Sequence, residues 1–144
     1  MRRMLPRPLI DTGLRLATGL AGAPGLAIVT CHRVLAEPDP LLPSEPDTQL
    51  FRTQVSFLAR HLRVFALREA LQRLQDGSLP PRAVCVTFDD GYANNFHCAL
   101  PVLQSLGVPA TVFVATGYLN GGCMWNDAVI ETFRRSRLRL LDLT

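Results

Sequence analysis

Residues 83–92 read AVCVTFDDGY, in which six apolar or β-branched residues are followed by two aspartates, a glycine and a tyrosine. The run is apolar at odd and even positions alike, which is typical of a parallel strand covered on both faces. A strand over residues 83–88 is therefore predicted at the centre of an α/β fold. Reactive groups in such folds collect at the carboxyl ends of the strands, so Asp89 and Asp90 predict a functional site there.

Outward from this strand, short β-rich runs alternate with segments of helical period, which predicts successive strand–helix units. The other predicted strands are residues 26–31, 63–66 and 110–114. Predicted helices follow an Asp47 cap, cover residues 67–74 and 100–106, and begin again at a cap formed by Asn126 or Asp127. Four units occupy roughly half of the about 250 residues that a complete (β/α) barrel needs. The expected fold is the N-terminal half of a distorted (β/α) barrel, about four parallel strands with flanking helices, and an open doubly wound sheet is the alternative.

Composition excludes several other classes of protein. The chain has 144 residues, 48% of them hydrophobic, with 15 basic residues, all arginine, against 12 acidic ones. A net charge of +3 is too diffuse to predict nucleic-acid binding. The four cysteines show no metal-type spacing and are expected to be free thiols. Residues 16–31 carry no charge, but glycines and a proline interrupt them and they are too short for a membrane-spanning helix. Residues 1–25 are expected to be an N-terminal arm or short helix without a clear signal peptide.

Two neighbouring carboxylates after a buried strand are costly to desolvate and repel each other, unless a cation or backbone N–H groups compensate. Successive strand residues point to opposite faces, so Asp89 and Asp90 reach one pocket only if the backbone leaves strand geometry. Gly91 is the residue type that permits such a turn. Two alternatives stay open. One aspartate caps the next segment, or the two act as the acid–base pair of an unrelated glycoside hydrolase, which needs carboxyls about 5 to 9.5 Å apart.

The stretch TFDDGY, residues 87–92, resembles the first motif of the NodB-homology polysaccharide deacetylases. These are metal-dependent carbohydrate esterases that remove acetyl groups from N-acetylated sugar polymers by hydrolysing an amide bond. Four further segments are similar to members of this family: residues 30–34 (TCHRV), 51–58 (FRTQVSFL), 109–114 (PATVFV) and 124–127 (MWND). The resemblance runs from about Ile28 to the C-terminus and implies a partial polysaccharide deacetylase domain over residues 26–144.

The resemblance also implies roles for individual residues. Asp89 would be the general base, Asp90 a ligand of a divalent metal ion, zinc in first place, and the backbone N–H of Tyr92 the oxyanion donor. Substrate-contacting or site-lining positions would be His32, Arg33, Trp125 and Asp127. The implied partner is a polysaccharide with N-acetyl groups, and the implied location is the cytoplasm or the envelope of a bacterium.

The histidines depart from the family pattern. The family completes its metal site with an H-x-x-x-H pair, whereas the three histidines here, His32, His61 and His97, lack that spacing. Catalytic metal ions normally have three protein ligands. We therefore expect the parent protein to be the deacetylase and this chain alone to be inactive. The alternative is a catalytically inactive truncated domain that binds carbohydrate or a partner chain, and the open sheet edges of half a barrel predict self-association.

Overall fold

The computed structural model describes residues 25–136. Four strands are present: β1 (Leu26–Cys31), β2 (Arg63–Val64), β3 (Ala83–Phe88) and β4 (Ala110–Val112). The helices are α1 (Thr48–His61), α2 (Leu67–Gln75), α3 (Leu100–Leu106) and α4 (Trp125–Arg135). A π-helical turn, Asn95–Ala99, leads into α3, and a 3₁₀ turn, Thr116–Tyr118, follows β4. The predicted arm or short helix before residue 25 lies outside the described residues.

All four strands are parallel, and β3 lies at the centre of the sheet. Strand β1 pairs with β3 along its whole length, so that Cys31 lies opposite Phe88. The opposite edge of β3 is shared, because β2 pairs with its amino-terminal half and β4 with its carboxyl-terminal half. The predicted α/β class with a parallel sheet and flanking helices is confirmed. The carboxyl ends of the four strands lie at the same edge of the sheet. Asp89 and Asp90, which follow the central strand β3, therefore lie in the middle of that edge.

Both faces of β3 are covered, and all six of its residues are buried. On one face Val86 and Phe88 join a core built with α1 and α3, in which the Phe51 ring meets Phe88 edge-on with centroids 5.8 Å apart. On the other face Ala83 and Cys85 pack with residues of α2 and the loop after it. The unbroken apolar pattern of β3 therefore reflects burial on two sides, as the sequence predicts.

The predicted N-terminal cap is confirmed for α1 and is wrong for α4. Asp47 caps α1, since its carboxylate accepts a 2.7 Å hydrogen bond from the N–H of Leu50. The prediction that Asn126 or Asp127 caps the last helix is wrong. Helix α4 begins at Trp125 after Met124, which offers no side-chain cap. Asp127 falls inside the first turn, where its carboxylate is free to pair with another element.

The outer edges of the sheet carry exposed apolar side chains. In the part of the chain that the structure describes, no strand pairs with the outer edge of β1 or of β4. Ile28 on β1 and Val112 on β4 are each about half exposed. Self-association through these edges stays a prediction. No helix within residues 25–136 is long and apolar enough to cross a membrane.

Candidate active site

The chain turns sharply where β3 ends. The N–H of Asp89 still donates to the carbonyl of Cys31 at 2.9 Å, which extends the ladder between β3 and β1 by one bond. Asp90 and Gly91 then both adopt left-handed backbone, with φ of 71° and 73°. The sequence predicts this departure only at Gly91. Asp90 shares it because a short polar side chain makes aspartate one of the few non-glycine residues that tolerate this conformation.

The two carboxylates of this turn have no partner among residues 25–136. Asp89 and Asp90 are both partly exposed, and no hydrogen bond or ion pair of the described residues involves either side chain. Asp90 lines a groove of about 410 Å³, whose walls are the Asp90 turn, the segment after β4 and the start of α4. Tyr92 and Asp127 line the same groove, whereas Asp89 is not among its wall residues. The Asp90 carboxylate is therefore available to a ligand from outside the chain.

Tyr92 presents a free backbone donor at the same turn. Residues 93 and 94 are already helical, and the N–H of Asn95 donates to the Tyr92 carbonyl at 2.9 Å. The N–H of Tyr92 itself donates to no acceptor among the described residues. Peptide N–H groups at the start of a helix attract negative charge, because the helix dipole adds to their own polarity. The N–H of Tyr92 is thus unpaired among the described residues, and its role as the oxyanion donor stays a prediction.

Arg33 and Asp127, two of the expected lining residues, lie against each other. The Arg33 guanidinium forms an ion pair with the Asp127 carboxylate and lies over the Tyr92 ring, 3.7 Å from its centroid. Burial lowers the pKa of Arg33, but Tyr92 and Asp127 hold its charged form more strongly, so the net shift is upward. The pair joins the end of β1 to α4. Its partners are 94 positions apart in sequence, so no local pattern predicts their contact.

The other expected residues lie farther from the groove. His32 is exposed and lines a separate cavity of about 760 Å³ between β1 and α1, together with Cys31 and Glu45. Burial, and secondarily the charge of Glu45, raise the pKa of the Cys31 thiol. Trp125 is 78% exposed and is not a wall residue of the groove. The structure therefore brings Asp90, Tyr92, Arg33 and Asp127 together and leaves His32 outside.

Sequence reasoning missed two groove residues. Met124 lines the groove and accepts a 3.3 Å hydrogen bond from the Tyr92 hydroxyl through its sulfur. Val114 lines it from the segment after β4 and packs against Gly91. Met124 stands in the quoted MWND segment and Val114 in the quoted PATVFV segment, but both only as part of a resemblance. Neither side chain carries a charge that would mark it as functional.

The family resemblance implies a divalent metal ion at this turn. Carboxylate oxygens such as those of Asp89 and Asp90 suit divalent ions. Within residues 25–136, however, no group of three or more histidine, cysteine, aspartate or glutamate side chains is close enough to hold one. The described residues therefore do not make up a complete catalytic metal site.

Comparisons with known proteins match part of this chain to one family. Residues 76–135 match the family model described as polysaccharide deacetylase. The chain is 33% identical over 70 residues to the poly-beta-1,6-N-acetyl-D-glucosamine N-deacetylase of Staphylococcus aureus, a match that covers 48% of this chain and 24% of that protein. The protein of the same description from Staphylococcus epidermidis is 32% identical over 72 residues.

Solved structures of two other proteins share the fold of this chain. The structure of IcaB from Ammonifex degensii superposes with a TM-score of 0.62 at 29% identity, over 71% of this chain and 43% of that one. A de-N-acetylase from Aggregatibacter actinomycetemcomitans superposes with a TM-score of 0.58 at 23% identity, which concerns the fold alone. The resemblance that the sequence predicts from residues 87–92 is confirmed. The chain spans about a quarter of the curated relatives that it matches and less than half of the IcaB structure.

Proposed function

We propose that the Asp89–Tyr92 turn serves the hydrolytic deacetylation of an N-acetylated polysaccharide, since residues 76–135 match the polysaccharide deacetylase family model. The observation that carries the proposal is the turn itself. Two carboxylates and a backbone N–H, all without partners in the described part of the chain, stand within four residues at the carboxyl end of the central strand. Nothing in the packing of the described residues requires two acids there.

Asp89 is assigned as the general base. Its carboxylate accepts a proton from a water molecule while the water oxygen attacks the carbonyl carbon of the acetamide group. The carbonyl oxygen becomes an oxyanion and accepts a hydrogen bond from the N–H of Tyr92. The carbon–nitrogen bond then breaks as the nitrogen takes up the proton that Asp89 accepted. A free sugar amine and acetic acid leave, and the acid ionises to acetate. A positioned base contributes about 10² to 10⁴-fold to such a reaction.

Asp90 is assigned to a divalent metal ion, zinc in first place. Its place in the groove wall and its unpartnered carboxylate support this assignment. Such an ion, when bound, polarises the acetyl carbonyl and acidifies water. The described residues offer no third ligand, and His32 lies in the separate cavity beside α1. We therefore expect the 144-residue chain by itself to release acetate slowly if at all.

The proposed substrate class is a polymer of N-acetylglucosamine with β-1,6 linkages. This assignment rests on the curated relatives, whose descriptions specify that polymer. Asp127 would form part of the wall of the groove that receives it, and Arg33 would hold Asp127 in place through their ion pair. The second candidate function is a domain that binds such a polymer without cleaving it. The incomplete set of metal ligands among residues 25–136 favours this candidate.

Acetate release tests the proposal. A chimera in which residues 25–136 replace the equivalent segment of the S. aureus relative is compared with the same chimera carrying Asp89→Asn, on β-1,6-linked N-acetylglucosamine oligomers with zinc. We expect an active chimera and a loss of at least about 10²-fold in the variant. A folded chimera that binds the oligomers without releasing acetate would support the binding domain instead. Full activity of the 144-residue chain alone would contradict the incomplete metal site.

A further inference from the structure

Helix α4 lies beside the groove without a hydrophobic anchor. None of its residues is buried, and Trp125, Val129 and Phe133, one turn apart on the helix, are all exposed. Apolar burial holds most surface helices of globular proteins in place. Since α4 buries no residue, its position depends on polar contacts with the rest of the domain. Its last turn is held by an ion pair between Arg134 and Asp39, and its first turn by a separate set of contacts.

The contacts of the first turn converge on Arg33. The side chains of Arg33 and Asp127 are only 14% and 17% exposed, so their ion pair is shielded from water. The Tyr92 ring lies beneath the guanidinium, and the Tyr92 hydroxyl receives a 3.5 Å contact from the side-chain amide of Asn126. One guanidinium therefore connects the end of β1, the reactive turn and the start of α4. Arginine suits this position because its flat cation stacks on an aromatic ring while its edge pairs with a carboxylate.

We propose that Arg33 is a positioning residue that fixes the first turn of α4, so that the exposed indole of Trp125 receives a sugar ring next to the Asp90 groove. Trp125 lies between Met124 and Asp127, which both line the groove, and is 78% exposed. An exposed indole offers a flat apolar face that packs on the C–H face of a pyranose. Holding it still before the sugar arrives lowers the entropy cost of binding. The inference rests on the proposed function for its ligand, an N-acetylglucosamine oligomer.

Trp125 is the single tryptophan of the chain, so its fluorescence reports directly on the proposed contact. The full chain is titrated with β-1,6-linked N-acetylglucosamine tetramer, and Arg33→Met and Arg33→Lys are compared with wild type. We expect Arg33→Met to weaken binding by about tenfold or more, and Arg33→Lys, which keeps the charge but loses the flat stack, to lie in between. The matched control is Arg73→Met, which removes the arginine of an exposed ion pair on α2. It should bind the tetramer like wild type.

Amide hydrogen exchange tests the position of α4 without any sugar. In Arg33→Met, residues 125–135 should exchange faster while α1 exchanges as in wild type. If the wild type binds the tetramer and Arg33→Met binds it equally well, the role of Arg33 is overturned. Exchange of α4 that is the same in Arg33→Met as in wild type would also overturn it. A wild type that binds no tetramer would refute the sugar platform and the proposed substrate, while faster exchange of α4 would still support the positioning role. If Arg33→Met does not fold, Asp127→Asn breaks the same ion pair from the other side and is held to the same outcomes.

Discussion

Gly91 lies in direct contact with Val114 across the end of the sheet. A Cβ on Gly91 would lie 3.0 Å from the Val114 Cγ1 and 3.3 Å from the Val114 Cα, which is tighter than most Cβ contacts in proteins, so that Val114 would have to shift. The backbone of Gly91 is also left-handed, with φ of 73°. Two independent constraints therefore require glycine here, one from conformation and one from space. The contact fixes the segment after β4 against the turn that carries both aspartates.

Gly91→Ala is expected to destabilise the protein by about 2 to 4 kcal/mol, because left-handed strain of about 1 kcal/mol adds to overpacking of about 1 to 3 kcal/mol. Urea unfolding followed by circular dichroism measures the change. The matched control is Gly77→Ala, since Gly77 has a similar φ of 66° but no atom within 4 Å of the added Cβ. It should lose only the strain, about 1 kcal/mol. If both variants lose the same free energy of unfolding, crowding against Val114 does not contribute to the effect of Gly91→Ala.

Asp90 combines a strained backbone with a carboxylate that has no internal partner. Asparagine tolerates the left-handed conformation about as well and glycine tolerates it better. Both replacements also remove the repulsion between two neighbouring carboxylates. Asp90→Asn and Asp90→Gly should therefore be at least as stable as wild type in urea unfolding, whereas deacetylation by the chimera should be lost in both. A loss of more than about 1 kcal/mol in Asp90→Asn would mean that the carboxylate is held inside the protein.

The sequence predicts the elements of the sheet well, for a physical reason. Strand β3 is apolar on both faces because helices cover both, and that pattern is local and continuous. The helix cap at Asp47 is equally predictable, because its carboxylate bonds only to the backbone of the residues that follow it. Strands β2 and β4 are shorter than predicted. Their apolar runs continue past the ladder, and the N–H of Phe113 still donates to the Phe88 carbonyl beyond the end of β4.

The groove is less predictable, because its walls depend on contacts between distant parts of the chain. Asp127 reads as a helix cap in sequence, but it pairs with Arg33 from the end of β1. From the sequence, Asp90 is an acidic residue at the end of a strand, and only the adjacent Gly91 indicates a turn. The left-handed backbone of Asp90 is seen only in the structure. His32 follows β1 as expected yet lines the cavity beside α1. Spacing along the chain fixes which residues end the strands, and tertiary packing decides which of them share a groove.

The raised pKa of two cysteine thiols, Cys31 and Cys85, predicts that the stability of the fold falls at alkaline pH. Burial raises the pKa of Cys85, which is fully buried, and also of Cys31, where the charge of Glu45 adds to the shift. In the unfolded chain these thiols ionise at a pH of about 8.5. Above that pH the unfolded state binds fewer protons than the folded state, so stability falls as pH rises. The slope approaches about 1.4 kcal/mol per pH unit for each such thiol until the folded thiol ionises too.

Urea unfolding at pH 7, 9 and 10 measures this slope, and the composition keeps the measurement simple because the chain contains no lysine. Cys85→Ala should be less stable than wild type at pH 7, since it leaves a small cavity, but its stability should fall less steeply between pH 9 and 10. The control is Cys123→Ala, which removes an exposed thiol and should keep the wild-type slope. If Cys85→Ala and wild type fall in parallel, the thiol of Cys85 ionises as readily in the folded protein as in the unfolded chain, and the burial seen at the centre of β3 does not hold its proton.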